Sequence, residues 1–307
     1  MAKKIVFMGT PMFAVPILNS LYQNGYPISD VYTQPPQKSQ RGQRINKSPI
    51  QGIAETLNLK FRTPKFLKNN NEEYEYFKKI EADLAIVVAY GQIIPKDFLN
   101  LTKKGFINIH ASILPKWRGA APIQRSIMNL DKETGVSFMK IAEQLDTGPV
   151  SNMYKINLEK NLNASDVAEK LSSIVAEKIL DNIDDVLEDK AKFVEQDHLN
   201  ATYASKIEKM EGKIDWNNNA KKIIGKINGL YPVPGAFFIF NGERYKILKA
   251  EIGNAAGNPG EVISDYLEVV CGDNQSIKVN EIQRQGKKPQ NIGEFMLGSQ
   301  IKKGSTI

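Results

Sequence analysis

The sequence predicts an α/β fold, a doubly wound and mostly parallel sheet, followed by a small antiparallel β-barrel of the OB-like type. Three observations carry this. Lys4 to Gly9 and Ala82 to Tyr90 are near-continuous apolar runs of strand length, the pattern of parallel strands covered on both faces. Strand-like and helix-like stretches alternate as far as Leu187, as βα units demand. Beyond residue 205 the pattern becomes short strands and turns, with Asn241-Gly242 as a hairpin signal. A chain of 307 residues is long enough for two domains. The change of pattern places them at 1–188 and 206–307, joined by a polar linker over 189–205.

In chain order, Lys4 to Gly9 is the first strand, and Thr10-Pro11 opens a helix through Phe13, Val15, Ile17, Leu18 and Leu21. Pro11 and Phe13 stand where a Gly-x-Gly-x-x-Gly dinucleotide loop would need glycine, so NAD loses much of its support. Ile28 to Thr33 is a second strand. From Val31 to Ala54 there is no carboxylate, while Lys38, Arg41, Arg44 and Lys47 recur at every third position. This segment has little apolar surface to hold one conformation. It suits a phosphate grip that orders on contact, and it equally suits a solvated loop with no partner.

Pro49 to Leu57 reads as a helix and Lys60 to Thr63 as a short strand. Gly91 to Pro95 ends the apolar strand 82–90. Gly105 to His110 has the period of two, so Asn108 and His110 share one face and Ile107 and Ile109 the other. Gly119 to Pro122 opens a helix through Ile123, Ile127 and Met128. Thr134 to Ala142 and Val150 to Leu158 read as strands flanking the turn Leu145 to Pro149. Ser165 to Leu187 carries a helical stripe from Val167 to Val186 that reads as core packing. After a helix through Ile223, Ile224 and Ile227, five strands are expected: Ala236 to Phe240, Tyr245 to Ile252, Gly260 to Ser264, Leu267 to Cys271 and Ile277 to Ile282.

Composition limits the function without choosing it. Lys+Arg 41 against Asp+Glu 34 gives a net charge of +7, which permits a polyanionic partner. Between Ser205 and Ile307, 15 basic residues against 11 acidic ones continue that bias. The single Cys271 can form no internal disulfide, and no His/Cys cluster has metal-ligand spacing, so no metal is expected. No stretch approaches the roughly 20 apolar residues of a membrane span. The apolar run after Met1-Ala2-Lys3-Lys4 is too short for a signal peptide, which points to the cytoplasm.

Chemistry converges on Asn108 and His110, an amide and an imidazole at the C-terminal end of a strand, where open α/β sheets bind ligands. Standing alone, they could equally be a satisfied polar pair ending the strand. The other histidine, His198, reads as a surface residue of the linker. Asp146 precedes Thr147-Gly148-Pro149, as it would in a plain turn.

The run Asn108 to Gly119 resembles the signature of the formyltetrahydrofolate-dependent formyltransferases, Asn-x-His-x-Ser-x-Leu-Pro-x-aromatic-Arg-Gly, with Asp146-Thr147-Gly148 matching the Asp-x-Gly that follows. Phe7 to Ala14, Ala201 to Ile207 and Gly212 to Trp216 are similar to the tRNA-specific members, and Arg41-Gly42 matches their basic insertion. Pro36 to Ser39 and Gln144 depart from the family pattern. The resemblance implies a Rossmann-like catalytic domain with Asn108, His110 and Asp146 as the catalytic groups. It implies 10-formyltetrahydrofolate as co-substrate, held by Tyr90, Gly91 and Ile93 and by Ser112, Ile113, Leu114 and Pro115. From the residues alone, the loop after Tyr90 is equally an ordinary β-to-α connection. The implied acceptor is initiator methionyl-tRNA, gripped by Lys38, Arg41, Arg44, Lys47 and the C-terminal barrel, with the chain acting as a monomer away from membranes.

Overall fold

The structure, a computed structural model, describes residues 3–39 and 44–307. By packing, the chain divides into two units. The first comprises Met1–Arg118, Gly135–Ile156 and Ala168–Tyr203; the second comprises Gly119–Thr134, Asn157–Val167 and Ala204–Ile307.

The strands up to residue 204 are β1 (Ile5–Gly9), β2 (Ile28–Tyr32), β3 (Gln37–Ser39), β4 (Arg44–Asn46), β5 (Phe61–Arg62), β6 (Leu84–Val88), β7 (Phe106–His110), β8 (Arg118–Gly119), β9 (Glu133–Lys140), β10 (Val150–Asn157) and β11 (Tyr203–Ala204). Seven of them form one sheet in the order β10-β9-β7-β6-β1-β2-β5. The pairs β5-β2, β2-β1, β1-β6 and β6-β7 are parallel, and β9 runs antiparallel to β7. β1 and β6 are buried along their whole length, as their unbroken apolar runs require. The chain leaves β1 toward one edge and β6 toward the other, so the loops after these two strands flank the crevice where doubly wound sheets take ligands.

The helices of this part are α1 (Val15–Gln23), α2 (Pro49–Thr56), α3 (Asn71–Ile80), the single turn α4 (Lys96–Leu99), α5 (Pro122–Met128) and α6 (Ala164–Leu187). A 3-10 turn, Met12–Ala14, precedes α1, so the helix expected from Thr10-Pro11 starts late. In α6 the stripe is buried at Val167, Leu171, Val175, Ile179, Ile183 and Val186, with Ile174 half-buried. Ser20 Oγ donates to Ala176 O at 2.6 Å and Ser172 Oγ to Phe13 O at 2.7 Å, which fixes α6 against the first helix and its entry.

The basic segment differs from the expectation of a loop with no fixed conformation. β3 and β4 pair antiparallel, with Lys38 opposite Ile45 and Ser39 opposite Arg44. Backbone hydrogen bonds join the two strands. Arg41 lies outside the described residues.

The second unit holds β12 (Ala236–Phe240), β13 (Glu243–Gly253), β14 (Glu268–Val270), β15 (Ser276–Arg284) and β16 (Gln290–Asn291), with α7 (Ala220–Gly229) and α8 (Ile292–Leu297). The sheet runs β12-β13-β15-β14, with β16 on β15. Register shifts at Lys249 mark an irregularity in the long strand β13, of the kind that bends a sheet. The result is a curled antiparallel half-barrel around Trp216, Phe238, Tyr245, Ile277 and Phe295. The expected strand Gly260 to Ser264 is reduced to isolated bridges, Glu261 with Thr306 and Val262 with Val269.

One buried ion cluster supports the first sheet. Glu73, 4% exposed, receives Arg62 Nε at 2.6 Å, Arg62 Nη2 at 2.8 Å and the Tyr32 hydroxyl at 2.8 Å. Burial, and then the hydrogen bond to Glu73, push the Tyr32 hydroxyl well above its ordinary pKa, so it stays a donor. Removing the arginine leaves a carboxylate buried without its cation. Arg62→Ala is expected to lower stability by about 3 kcal/mol and Tyr32→Phe by about 1 kcal/mol, both read from urea unfolding.

Candidate active site

β7 supplies the first two groups of the site. Its alternation puts Asn108 and His110 on the same face, opposite Ile107 and Ile109. The third group arrives from the β9–β10 loop. Because β9 is antiparallel to β7, this loop starts beside Phe106, where Ile141 N donates to Phe106 O at 2.8 Å, and it must fold back to reach the polar face. It does so through Asp146, whose φ of 51° is left-handed, and through Gly148. A Cβ on Gly148 would stand 1.9 Å from Lys140 O, so glycine is what lets the two arms of the loop close.

Asp146 then faces both β7 side chains. Asn108 Nδ2 lies 3.4 Å from Asp146 Oδ1, and His110 Nδ1 lies 3.6 Å from Asp146 Oδ2. The imidazole contact exceeds hydrogen-bond length and the amide contact is at its limit, so neither donor is tightly engaged. Both side chains of the His110–Asp146 pair are largely shielded, 7% and 11% exposed. The other ring nitrogen, His110 Nε2, lies 2.8 Å from Trp117 O. A carbonyl only accepts, so Nε2 carries a proton and a neutral ring points the Nδ1 lone pair at Asp146. A further proton on Nδ1 makes the ring a cation beside a carboxylate, a charge pair that suits proton transfer.

The support around this trio comes from residues that sequence reasoning passed over. Gln196 Nε2 donates to Asp146 O at 2.9 Å and to Gly148 O at 2.7 Å, which holds the returning loop by its backbone. Gln196 Oε1 accepts from Arg118 Nη2 at 2.7 Å and Nε at 3.1 Å. Arg118 is 2% exposed, and His198 Nδ1 lies 3.0 Å from its Nη2. His198 is exposed as expected, yet it has this specific partner. Thr202 Oγ1 accepts from Trp117 N at 2.9 Å and Thr202 O accepts from Arg118 N, so the 196–202 stretch aims the Trp117 carbonyl at His110. A polar stretch without periodicity gave no signal for this, apart from Ala201-Thr202-Tyr203-Ala204.

The stretches expected to hold folate behave differently from each other. The Ser112 hydroxyl donates to Lys116 O at 2.6 Å, and Leu114 is buried with its N–H on Ser137 Oγ. These two side chains shape the loop, whereas Ile113 and Pro115 are half-buried. Tyr90 is buried, and its carbonyl accepts from Thr10 Oγ1 at 2.7 Å. Gly91 follows with a φ of 87°, and Gln92 is pinned to Pro64 O and Leu67 N. On this fixed loop Ile93 is 83% exposed, an apolar side chain held out in water. Lys47 Nζ lies 2.8 and 3.0 Å from the two Glu55 oxygens, so its charge meets a carboxylate just past the acid-free run. Lys38 and Arg44 are placed by their strands β3 and β4. Among the described residues, no group of three or more His, Cys, Asp or Glu is placed to hold a metal ion.

Two donors and a carboxylate beside the crevice of a doubly wound sheet are the equipment of a group-transfer enzyme, and comparison with known proteins gives the class. The family described as Formyl transferase matches residues 3–182, and Formyl transferase, C-terminal domain, matches residues 206–300. The methionyl-tRNA formyltransferase of Pelagibacter ubique is 69% identical over 307 residues, covering 100% of this chain and 99% of its own. That of Brucella canis is 41% identical over 305 residues, with 98% and 99% covered. The chain belongs to the formyl transferase family, among its methionyl-tRNA formyltransferases. The fold is also that of the sugar 3N-formyl transferase WlaRD, a structure determined with dTDP and 5-N-formyl-THF, at TM-score 0.70 and 22% identity over 94% of this chain and 100% of that one.

Gln196 tests whether the support matters. Gln196→Leu keeps the bulk but removes both loop hydrogen bonds and an acceptor of Arg118. It is expected to lower kcat by roughly tenfold or more with a smaller change in KM, measured by steady-state kinetics beside a thermal melt that reports the structural cost separately.

Proposed function

We propose that the chain transfers a formyl group from 10-formyltetrahydrofolate to the α-amino group of initiator methionyl-tRNA, with residues 1–188 as catalytic domain, 189–205 as linker and 206–307 as a tRNA-contacting domain. The observation that carries this reading is the approach of Asn108 and His110 to one carboxylate, Asp146. Asn108 Nδ2 is a neutral donor for the negative charge that grows on the formyl oxygen as the amine attacks. His110, protonated on Nδ1, is a positive donor to the same centre and hands that proton to the departing nitrogen. Asp146 steadies the imidazolium and draws the proton from the attacking amine, directly or through a water. The long contacts in this structure leave both donors able to turn from Asp146 to a substrate.

The folate enters as a substrate and brings the formyl group. Its ring fits a slot with one apolar wall at Ile93 and backbone groups from Tyr90 and Gly91. The Ser112 to Pro115 loop adds Ile113 and Pro115 as contacts, with Ser112 and Leu114 as its internal supports. Lys38, Arg41, Arg44 and Lys47 form the basic grip on tRNA. The Lys47–Glu55 pair is exposed and held weakly against water, so a phosphate can replace the carboxylate. Among the described residues, no helix is long and apolar enough to cross a membrane. We place the chain in the cytoplasm as a monomer.

Asn108→Ala and His110→Ala are each expected to reduce formyl transfer by about 10²–10³ while the melting temperature stays near that of the parent. Most activity surviving in either would sink the assignment. Arg41→Ala is expected to raise KM for initiator methionyl-tRNA and leave folate binding unchanged, as read from kinetics with each substrate varied in turn. Equal effects on both substrates would take the basic segment out of tRNA recognition.

A further inference from the structure

The chain has two histidines, and the proposed reaction uses one of them. The other, His198, is tied to the site through two side chains. Its Nδ1 lies 3.0 Å from Nη2 of Arg118, which stands on β8 and is 2% exposed. An arginine has donors and no acceptor, so this contact is a hydrogen bond only while Nδ1 offers its lone pair and the ring carries its proton on Nε2. His198 itself is exposed, and protons from water reach it without any opening of the structure.

Nη2 has two N–H groups, divided between His198 Nδ1 and Gln196 Oε1, the latter at 2.7 Å. Nε adds a second bond to the same amide oxygen at 3.1 Å. With its oxygen turned to the arginine, the Gln196 amide presents its nitrogen on the other side, where it donates to Asp146 O at 2.9 Å and to Gly148 O at 2.7 Å. Three side chains thus stand in file from an exposed ring to the loop that carries the carboxylate. The charges around the ring set its response to acid. Among the described residues, Arg118 faces it from β8; on its own turn Asp197 has its oxygens on Leu199 N at 3.1 Å and Asn200 Nδ2 at 2.6 Å; Asp146 stands beyond Gln196. Imidazole is the side chain that changes charge in the mildly acidic range. A proton on Nδ1 sets N–H against N–H and one cation beside another, which turns the contact repulsive.

We propose that His198 is a positioning residue for formyl transfer: its neutral ring steadies the Asp146 loop through Arg118 and Gln196, and a proton on that ring lowers turnover from a distance. This rests on the reading of Asp146 as the carboxylate that takes part in the reaction. His198 touches no reacting atom. It acts by keeping the guanidinium against the Gln196 oxygen, so that the amide nitrogen keeps both loop carbonyls and the carboxylate keeps its place beside Asn108 and His110.

The test follows kcat and KM of the full chain from about pH 5.5 to about pH 7.5, with 10-formyltetrahydrofolate and methionyl-tRNA as substrates and a thermal melt at each pH. His198→Asn puts an amide oxygen where Nδ1 stood and takes no proton. Its kcat is expected to match the parent at the upper end of that range and to exceed it roughly threefold at the lower end, because only the parent then loses its acceptor. His198→Leu offers Arg118 nothing. It is expected to lower kcat roughly three- to tenfold at neutral pH with KM for either substrate little changed, and its deficit shrinks as the pH falls. On a Gln196→Leu background neither substitution has a further effect, since the route to the loop is already cut. A ratio of asparagine variant to parent that stays flat across the range, or a leucine variant with the parental kcat, overturns the proposal. Asp146→Asn, assayed alongside, separates this from the reading beneath it. An active Asp146→Asn refutes the catalytic role of the carboxylate, whereas an inactive one together with a flat ratio overturns the role of His198 alone.

Discussion

The arrangement depends on one carboxylate being brought to two side chains that its own strand cannot reach. Asp146 sits 38 residues after Asn108, on a loop that begins beside Phe106 and returns to the Asn108 and His110 face. The return needs a left-handed residue at Asp146, a conformation that typically costs about 1–3 kcal/mol outside glycine. It also needs a bare Cα at Gly148. Gln196 offsets part of that cost by hydrogen bonds to the carbonyls of both residues. The geometry at the carboxylate is therefore set by the main chain around it.

Arg118 extends the same logic. A guanidinium that is 2% exposed, with Gln196 and His198 as its described partners, keeps a positive charge inside the protein, one side chain removed from the Asp146 loop. The planar fork of arginine matches the amide oxygen it grips. The side chain expected from the signature as one letter among a dozen is thus part of what positions the Asp146 loop.

Much of this was legible in the sequence because it follows from short-range rules. Unbroken apolar runs gave β1 and β6, the period of two gave the shared face of Asn108 and His110, and the 3.6-residue stripe gave α6 almost to the residue. What escaped has equally specific reasons. α3 was hidden by its charge, although Asn70 caps it, Glu72 and Glu73 occupy its first turn and Lys78 and Lys79 its last. Gln196 and Thr202 lie in a stretch with no periodicity, and their roles are set by partners dozens of residues away. The strand expected at Gly260 to Ser264 had the right composition, but only single bridges form there. The depth of Ser112 and the exposure of Ile93 depend on packing that no local pattern encodes.

The bond from His110 Nε2 to the Trp117 carbonyl carries a last implication for how the ring works. A peptide oxygen at that position never ionises, so it neither accepts the ring's proton for good nor supplies another. An imidazole moored in this way is a cul-de-sac with one entrance. In the reaction proposed above, every proton that comes to the ring leaves by the way it arrived, through Nδ1, and no wire runs across the ring from one side of the site to the other. The traffic is thereby confined to the side facing Asp146, where arriving and departing groups share a single berth and must use it in turn.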